Sequence, residues 1–358
     1  MKSMKPISIE TRGGIRHIGP GYPSFIVAEL SGNHSQSYKT ACKIIDAIAD
    51  TGADAVKLQT YTADTMTIDS DKKYFKLTGS KLWKGETLYG LYKKASTPWD
   101  WHPRLKSYAE KRGLVFFSTP FDNTAVDFLK KMNVPLYKVA SYELTDTPLL
   151  QKIASTKKPV ILSRGMASIK EIGLAINTLR KYGTRQIAVL HCISSYPTDP
   201  KDMNLRTIPD IMSRFRVISG LSDHSITNNA AIASIALGAS IIEKHITLNR
   251  HDKGVDSKFS LEPHEFKDLV KAVRETENAL GKIHYATTLS EINDKLYRRS
   301  LFITKSIRKG EKFTKNNTRI IRPGYGLAPR YFSMVIGKKA KKNIERGTPL
   351  TRRLILSK

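Results

Sequence analysis

Val217-Ile-Ser-Gly-Leu-Ser-Asp-His224 and Ile241-Ile-Glu-Lys-His-Ile-Thr-Leu248 are two short apolar runs on either side of Asn229–Leu237, where apolar residues recur at three- and four-residue spacing. The pattern reads strand, helix, strand. Polar groups gather where each run ends: Ser222, Asp223 and His224 close the first, while Glu243, Lys244 and His245 sit within the second. Two imidazoles about twenty residues apart are a weak metal signal alone, because compact metal motifs space their ligands three to five residues apart. A histidine near an apolar strand is more often a packing residue, so the pair acquires meaning only from the rest of the chain.

Moving outward, the same unit recurs. β-type runs occupy Phe25–Leu30, Ala55–Tyr61, Leu114–Thr119, Leu136–Ser141, Val160–Ser163, Ile187–Ile193, Val217–Leu221 and Ile241–Leu248, with helical periodicity in Lys39–Asp50, Val126–Met132, Glu171–Lys181 and Asn229–Leu237. Eight strands alternating with helices predict an α/β fold, a closed (β/α)8 TIM barrel spanning residues 1–281. An open doubly wound sheet is the competing architecture, but no Gly-x-Gly-x-x-Gly follows the first strand. An insertion, Thr62–Arg104, is rich in aromatics and falls where barrels carry active-site loops; a satellite hydrophobic cluster is the other reading of it. Residues 282–294 read as a linker and 295–358 as a small β domain. In that domain Ile307-Arg-Lys-Gly-Glu-Lys-Phe-Thr314 and Ile344-Glu-Arg-Gly-Thr-Pro-Leu-Thr351 form a weak internal repeat. So small a domain is expected to lean on the barrel or on a second subunit.

At 358 residues with 40% hydrophobic content, the chain has enough apolar side chains for a large core. The start, Met1-Lys-Ser-Met-Lys-Pro, lacks a signal-peptide apolar region, and Ala230–Ile242 is too short to span a bilayer. These features predict a cytoplasmic protein with no membrane partner. Cys42 and Cys192 lie in unrelated segments and read as buried thiols. The formal net charge is +28, and Glu291–Lys358 holds 19 Lys and Arg against 4 Asp and Glu. Such a tail raises a nucleic-acid reading, but the aromatic platform and continuous basic helix of nucleic-acid readers are missing. The expectation is no nucleic-acid partner; positive potential would instead attract a doubly anionic substrate.

Catalytic groups of a barrel come from the C-terminal ends of several strands. Here those ends carry Glu29, with Asn33 and His34 just beyond; Lys57 and Gln59; Ser118 and Thr119; Lys138, Ser141 and Glu143; Ser163 and Arg164; His191, Ser194 and Tyr196; Ser222, Asp223 and His224; Glu243 and His245. Inward lysines and glutamates cost several kcal/mol each unless paired or facing ligand, so their recurrence on every strand argues for a site. Two lysines with several hydroxyls suit a ligand bearing phosphate and carboxylate. Two imidazoles leave open positions on a Lewis-acid metal, and Mn²⁺, Zn²⁺, Co²⁺ and Fe²⁺ all fit that ligand set.

These residues resemble the sialic-acid (nonulosonic acid) synthase family, whose members condense phosphoenolpyruvate with an N-acetylated amino sugar. The resemblance runs from about Ser24 to the C-terminus. It is carried by Val27-Ala-Glu-Leu-Ser-Gly-Asn-His34, Val56-Lys-Leu-Gln-Thr60, Phe117-Ser-Thr-Pro-Phe-Asp122, Tyr137-Lys-Val-Ala-Ser141, Leu190-His-Cys192, Tyr196-Pro-Thr198, Gly220-Leu-Ser-Asp-His224 and Ile242-Glu-Lys-His-Ile-Thr-Leu248. Arg298-Arg-Ser300, Arg322-Pro-Gly324 and the glycine-turn repeat look like the family's C-terminal SAF (antifreeze-like) domain. Leu77–Tyr92 and Thr97-Pro-Trp-Asp-Trp101 resemble the pseudaminic branch and not the N-acetylneuraminate branch. The resemblance implies that His224 and His245 hold a divalent metal, usually Mn²⁺ with Co²⁺ or Mg²⁺ as alternatives. It implies that Lys57, Thr119, Lys138, Ser141, Ser163 and Ser222 hold phosphoenolpyruvate. Ser194 stands where neuraminate synthases have Asn, which separates it from that pattern. Gln59 and Tyr196 would face the sugar, and Glu29, Glu143 and Asp256 the sugar or the attacking water as catalytic groups. Arg322 would reach into the site of the partner in a domain-swapped homodimer.

Overall fold

Strand alternation explains the architecture. In the computed structural model, which describes residues 4–78 and 83–356, the chain forms two compact units, Met1–Gly281 and Lys282–Lys358. Part of the aromatic insertion motif, residues 79–82, and the last two residues of the small β domain lie outside the described residues. The first unit opens with an antiparallel hairpin, β1 (Ile7–Thr11) and β2 (Gly14–Ile18). Eight parallel strands follow: β3 (Phe25–Glu29), β4 (Ala55–Thr60), β5 (Val115–Pro120), β6 (Tyr137–Val139), β7 (Val160–Ser163), β8 (Ile187–Cys192), β9 (Ile218–Asp223) and β10 (Ile241–His245). They close in the order β10-β3-β4-β5-β6-β7-β8-β9. The β10–β3 seam sets His245 beside Glu29, and the next seam sets Glu29 beside Lys57.

Successive side chains of a strand point to opposite faces. Ile26, Ala28, Val56, Leu58, Phe116, Val139, Leu162, Val189, Leu221 and Ile242 pack outward in the main apolar cluster that includes the helices. Phe25, Val27, Ala55, Phe117, Leu136, Ile161, Leu190, Ile218 and Ile241 fill the barrel, joined by Ile7, Ile9 and Ile18 of the hairpin. The hairpin thereby closes the N-terminal end. It was absent from the strand pattern read above, although the Ile7 and Ile9 alternation before Gly13-Gly14 is a hairpin signal.

Seven of the eight inward files are apolar at the bottom and polar at the top: Phe25-Val27-Glu29, Ala55-Lys57-Gln59, Val115-Phe117-Thr119, Leu136-Lys138, Ile161-Ser163, Ile218-Gly220-Ser222 and Ile241-Glu243-His245; the eighth, Ala188-Leu190-Cys192, ends in a thiol. The same alternation that builds the core delivers the polar ring. Gly220 is required inside the file, because a Cβ there would stand 2.3 Å from the Ile241 carbonyl oxygen.

In the second unit β11 (Ser300–Ile303) pairs antiparallel with β12 (Thr318–Ile321). The internal repeat is structural: Ile307 and Ile344 exchange two backbone hydrogen bonds of 2.8 Å, and Gly310 and Gly347 both turn the chain in the left-handed region. A separate apolar core forms around Leu301, Ile303, Phe313, Ala340, Ile344 and Leu350. Among the described residues, no helix is long and apolar enough to cross a membrane.

Candidate functional site

Glu29, Lys57, Gln59, Thr119, Lys138, Ser141, Ser163, Tyr196, Ser222, His224, Glu243 and His245 line one pocket at the strand C-termini, together with Phe121, Ala140 and Cys192. A cleft of about 800 Å³ lies elsewhere, between helices Thr207–Phe215 and Asn229–Ala236, and includes none of the inward file ends.

One flank of the pocket is a chain of buried charges. Lys57 pairs with Glu29 and lies 3.7 Å from Glu243 Oε1, while Lys138 Nζ lies 3.6 Å from that same oxygen. Lys138 Nζ donates to Ser163 Oγ at 2.7 Å, and Lys57 Nζ donates to Thr119 Oγ1 at 3.2 Å. Ser222 Oγ donates to Glu243 Oε1 at 3.2 Å. Burial opposes charge on Lys57, but Glu243 and Glu29 outweigh it and raise the lysine's pKa. Burial, with Lys57 nearby, lowers that of Lys138. Desolvation pushes Glu29 up to about 7 against the pull of Lys57. Glu243 stays below the usual carboxylate range because the two lysines outweigh its burial. The two lysines share Glu243, and Lys57 also pairs with Glu29, so the flank gathers two cations suited to an anionic ligand.

The other flank is aromatic. His224 and His245 stand 5.5 Å apart by ring centroid, Tyr196 lies 4.4 Å from His224, and Phe259 lies 5.0 Å from both Tyr196 and His245. His224 Nδ1 donates to the Ile193 carbonyl at 2.9 Å, which fixes the tautomer and leaves Nε2 as an acceptor. Burial works against charge on His224, but Cys192 and the Ile193 carbonyl raise its pKa. Burial and the neighbouring His224 hold His245 far below its usual value, hence neutral. Its Nδ1 is buried with no hydrogen-bond partner among the described residues, as are Glu29 Oε1 and Glu243 Oε2. An unpartnered Nδ1 on His245, beside a His224 whose Nδ1 is held by the Ile193 carbonyl, fits a metal site. Among the described residues, no cluster of three or more His, Cys, Asp and Glu side chains forms a complete cage. A metal here would complete its coordination with water or substrate.

Three further candidates adjoin the pocket. Ser194 Oγ is 2.8 Å from Ser141 Oγ. Glu143 keeps Oε2 buried without a partner among the described residues, and burial raises its pKa to about 7. Asp256 accepts a hydrogen bond from Ser31, and its backbone N–H donates to Asn33 Oδ1 at 3.2 Å. Arg322 belongs to the second unit, where it lies with Arg298, Arg299 and Tyr297. Other strand-end polar residues face away from the pocket. Ser118 bonds Thr60, which bonds His102; His34 bonds Thr97; His191 accepts from Arg164 through Nδ1 and contacts the Met203 carbonyl through Nε2. Asp223 pairs with Lys244 and does not touch either imidazole.

Residues 44–285 match the NeuB family, and residues 298–354 match the SAF domain. The chain belongs to the NeuB family. The NeuB match spans most of the barrel strands and both histidines. The chain is 42% identical over 330 residues to the pseudaminic acid synthase of Helicobacter pylori, covering 92% of this chain and 97% of that one. It is 41% identical over 326 residues to the pseudaminic acid synthase of Campylobacter jejuni strain 81-176, covering 91% and 95%. With the N,N'-diacetyllegionaminic acid synthase of Legionella pneumophila it shares 33% over 342 residues, covering 94% and 96%. Among solved structures, the N-acetylneuraminic acid synthetase of Leptospira borgpetersenii in complex with citrate superposes with a TM-score of 0.71 at 32% identity, covering 82% of this chain and 96% of that one. This NeuB barrel therefore has the fold expected above, and the neighbouring SAF domain supplies the small β unit.

The strand-end reading placed Glu243 at the site without giving it a role there, and it missed Cys192 and the Trp83 contact. Period-2 alternation from Ile241 puts Glu243 in the same inward file as His245, between the two lysines. Trp83, from the insertion, donates its indole N–H to the Val255 carbonyl at 3.1 Å and sets its ring 6.3 Å from Tyr196. Nothing in the sequence spacing foretells that contact.

Proposed function

We propose that this NeuB-family enzyme is a pseudaminic acid synthase. The reaction joins phosphoenolpyruvate to 2,4-diacetamido-2,4,6-trideoxy-L-altrose with uptake of water, giving pseudaminic acid and inorganic phosphate. The observation that carries the reading is the two-sided pocket: Lys57 and Lys138 flank one carboxylate, Glu243, and the same pocket holds His224 and His245, the latter with an unpartnered Nδ1. The names of the relatives at 41–42% identity support the pseudaminic branch.

Lys57 and Lys138, with Thr119, Ser141, Ser163, Ser194 and Ser222, bind the phosphate and carboxylate of phosphoenolpyruvate and offset their charge. His224 and His245 would hold the divalent metal, Mn²⁺ in our reading. When bound, the metal supplies Lewis-acid polarisation of the sugar aldehyde. Gln59 and Tyr196 orient the open-chain sugar so that C3 of phosphoenolpyruvate meets the aldehyde carbon. Water then adds at C2, and phosphate leaves by C–O cleavage. Glu29 and Glu143, both raised to about 7, and Asp256, raised by burial, are the groups able to take the water's proton at neutral pH.

The reading extends to a domain-swapped homodimer in which Arg322 serves the partner's site. Ile283, Tyr285 and Leu289 of the linker are 90%, 98% and 89% exposed, an apolar run that a second copy would cover. Residues 1–281 then act as the catalytic domain, 282–294 as linker and 295–358 as the arm that carries Arg322. We place the reaction in the cytoplasm, where phosphoenolpyruvate is made.

Purified protein with Mn²⁺, phosphoenolpyruvate and the 2,4-diacetamido sugar should release phosphate. Silence with that sugar, together with turnover of N-acetylmannosamine or the legionaminic precursor, would overturn the branch assignment.

A further inference from the structure

The aromatic flank does not end at the histidines. From His224 it continues to Tyr196 at 4.4 Å, and from Tyr196 to Trp83 at 6.3 Å with the rings inclined at 54°. Trp83 comes from the insertion between β4 and β5, far from the barrel's own strand ends in sequence. Its indole N–H is engaged by the Val255 carbonyl, one residue before Asp256, so the ring is held at that edge. Other insertion aromatics serve packing: Trp99 bonds the Tyr61 carbonyl, and Trp101 packs edge-on against His34 and Tyr38.

A sugar whose aldehyde lies at the imidazoles, with the lysines on the opposite flank, extends its later carbons along Tyr196 towards Trp83. A 6-deoxy sugar presents a methyl at that end. A 6-hydroxy sugar would press a hydroxyl against an indole whose one donor is already used, losing a hydrogen bond to water without replacement. We propose that Trp83 is a specificity-determining residue, the apolar wall that selects the 6-deoxy end of the sugar. This rests on the substrate reading given above.

The test compares kcat/KM for 2,4-diacetamido-2,4,6-trideoxy-L-altrose with that for its 6-hydroxy counterpart, in wild type, Trp83→Gln and Trp83→Phe. Gln keeps an N–H donor for Val255 and loses the apolar face; Phe keeps the face and loses the donor. The deoxy-to-hydroxy preference should fall about tenfold or more in Trp83→Gln, the scale of discrimination one methyl commonly supplies. It should stay within about threefold in Trp83→Phe, and KM for phosphoenolpyruvate should hold in both. Thermal unfolding verifies that each variant is folded. An unchanged preference in Trp83→Gln, or a loss confined to Trp83→Phe, would overturn the proposal and make Trp83 a clamp for the Val255 loop. Wild-type silence on both diacetamido sugars with turnover of N-acetylmannosamine would instead sink the substrate reading, and this proposal with it.

Discussion

Lys244 and Asp223 form a 2.7 Å ion pair, with side chains 1% and 0% exposed, between β10, which ends in His245, and β9, which leads directly into His224. Strand alternation puts this pair on the face opposite His224 and His245. Lys244 Nζ also donates to the Thr227 carbonyl at 3.2 Å, and Asp223 Oδ1 accepts from the Ser225 backbone N–H at 2.8 Å. The loop leaving His224 is therefore hung on one buried ammonium. Lys244→Met strands the carboxylate of Asp223 in the interior, and breaking a buried pair in this way costs about 3–5 kcal/mol. Urea unfolding should show that loss, and Mn²⁺ titration should show weaker binding. Adding Asp223→Asn should restore part of the stability, since the stranded charge is then gone.

On the anion flank, Lys57 and Lys138 each contribute a charge-assisted contact to the same ligand. A hydrogen bond to a charged group contributes about 1.5–3 kcal/mol. Lys138→Met and Lys57→Met should each raise KM for phosphoenolpyruvate tenfold or more, while KM for the sugar moves far less. Initial-rate kinetics with each substrate varied in turn will separate the two effects.

Glu143 gives a pH signature. Its pKa stands at about 7 against an ordinary 4.5 because burial favours the neutral acid. The sign follows: the fold favours protonated Glu143, so its contribution is complete below about pH 4.5 and is lost as pH rises through about 7. Wild-type stability should decline across that window relative to Glu143→Gln, with a slope of at most about 1.4 kcal/mol per pH unit for one proton. Urea midpoints of both proteins from pH 5 to pH 8 will measure the difference.

Gly165 shapes the seat of two serines. Its φ is +40°, and a Cβ there would lie 2.4 Å from Ser141 Cβ and 2.7 Å from Ser194 Oγ. Gly165→Ala should displace the 2.8 Å Ser141–Ser194 contact. We expect a stability loss of about 1–3 kcal/mol and a raised KM for phosphoenolpyruvate, read by thermal unfolding and kinetics.

How much of this was legible in the sequence depends on the physics involved. The eight barrel strands announce themselves because each is an apolar run followed by polar residues, and the resulting (β/α)8 arrangement forms as expected. Glu29, Lys57, Lys138, His224 and His245 converge because all lie at the top of inward files. Direction along a strand decided the errors: Asp223 and His191 sit at strand ends yet face outward, whereas Glu243, also read at a strand end, faces inward between the lysines. The insertion that carries Trp83 was read at an active-site position, but which of its aromatics reaches Tyr196 is set by tertiary folding, which leaves no periodicity to read. The hairpin at Ile7–Ile18 escaped because its strands belong to no βαβ repeat.

The central claim is that one pocket joins phosphoenolpyruvate to the diacetamido sugar with C–O cleavage. Phosphoenolpyruvate carrying ¹⁸O at the oxygen bridging C2 and phosphorus, incubated with Mn²⁺, the sugar and the enzyme, tests it by mass spectrometry of both products. The account predicts an unlabelled nonulosonate and phosphate bearing the label. Label in the nonulosonate, or no condensation product, would contradict it.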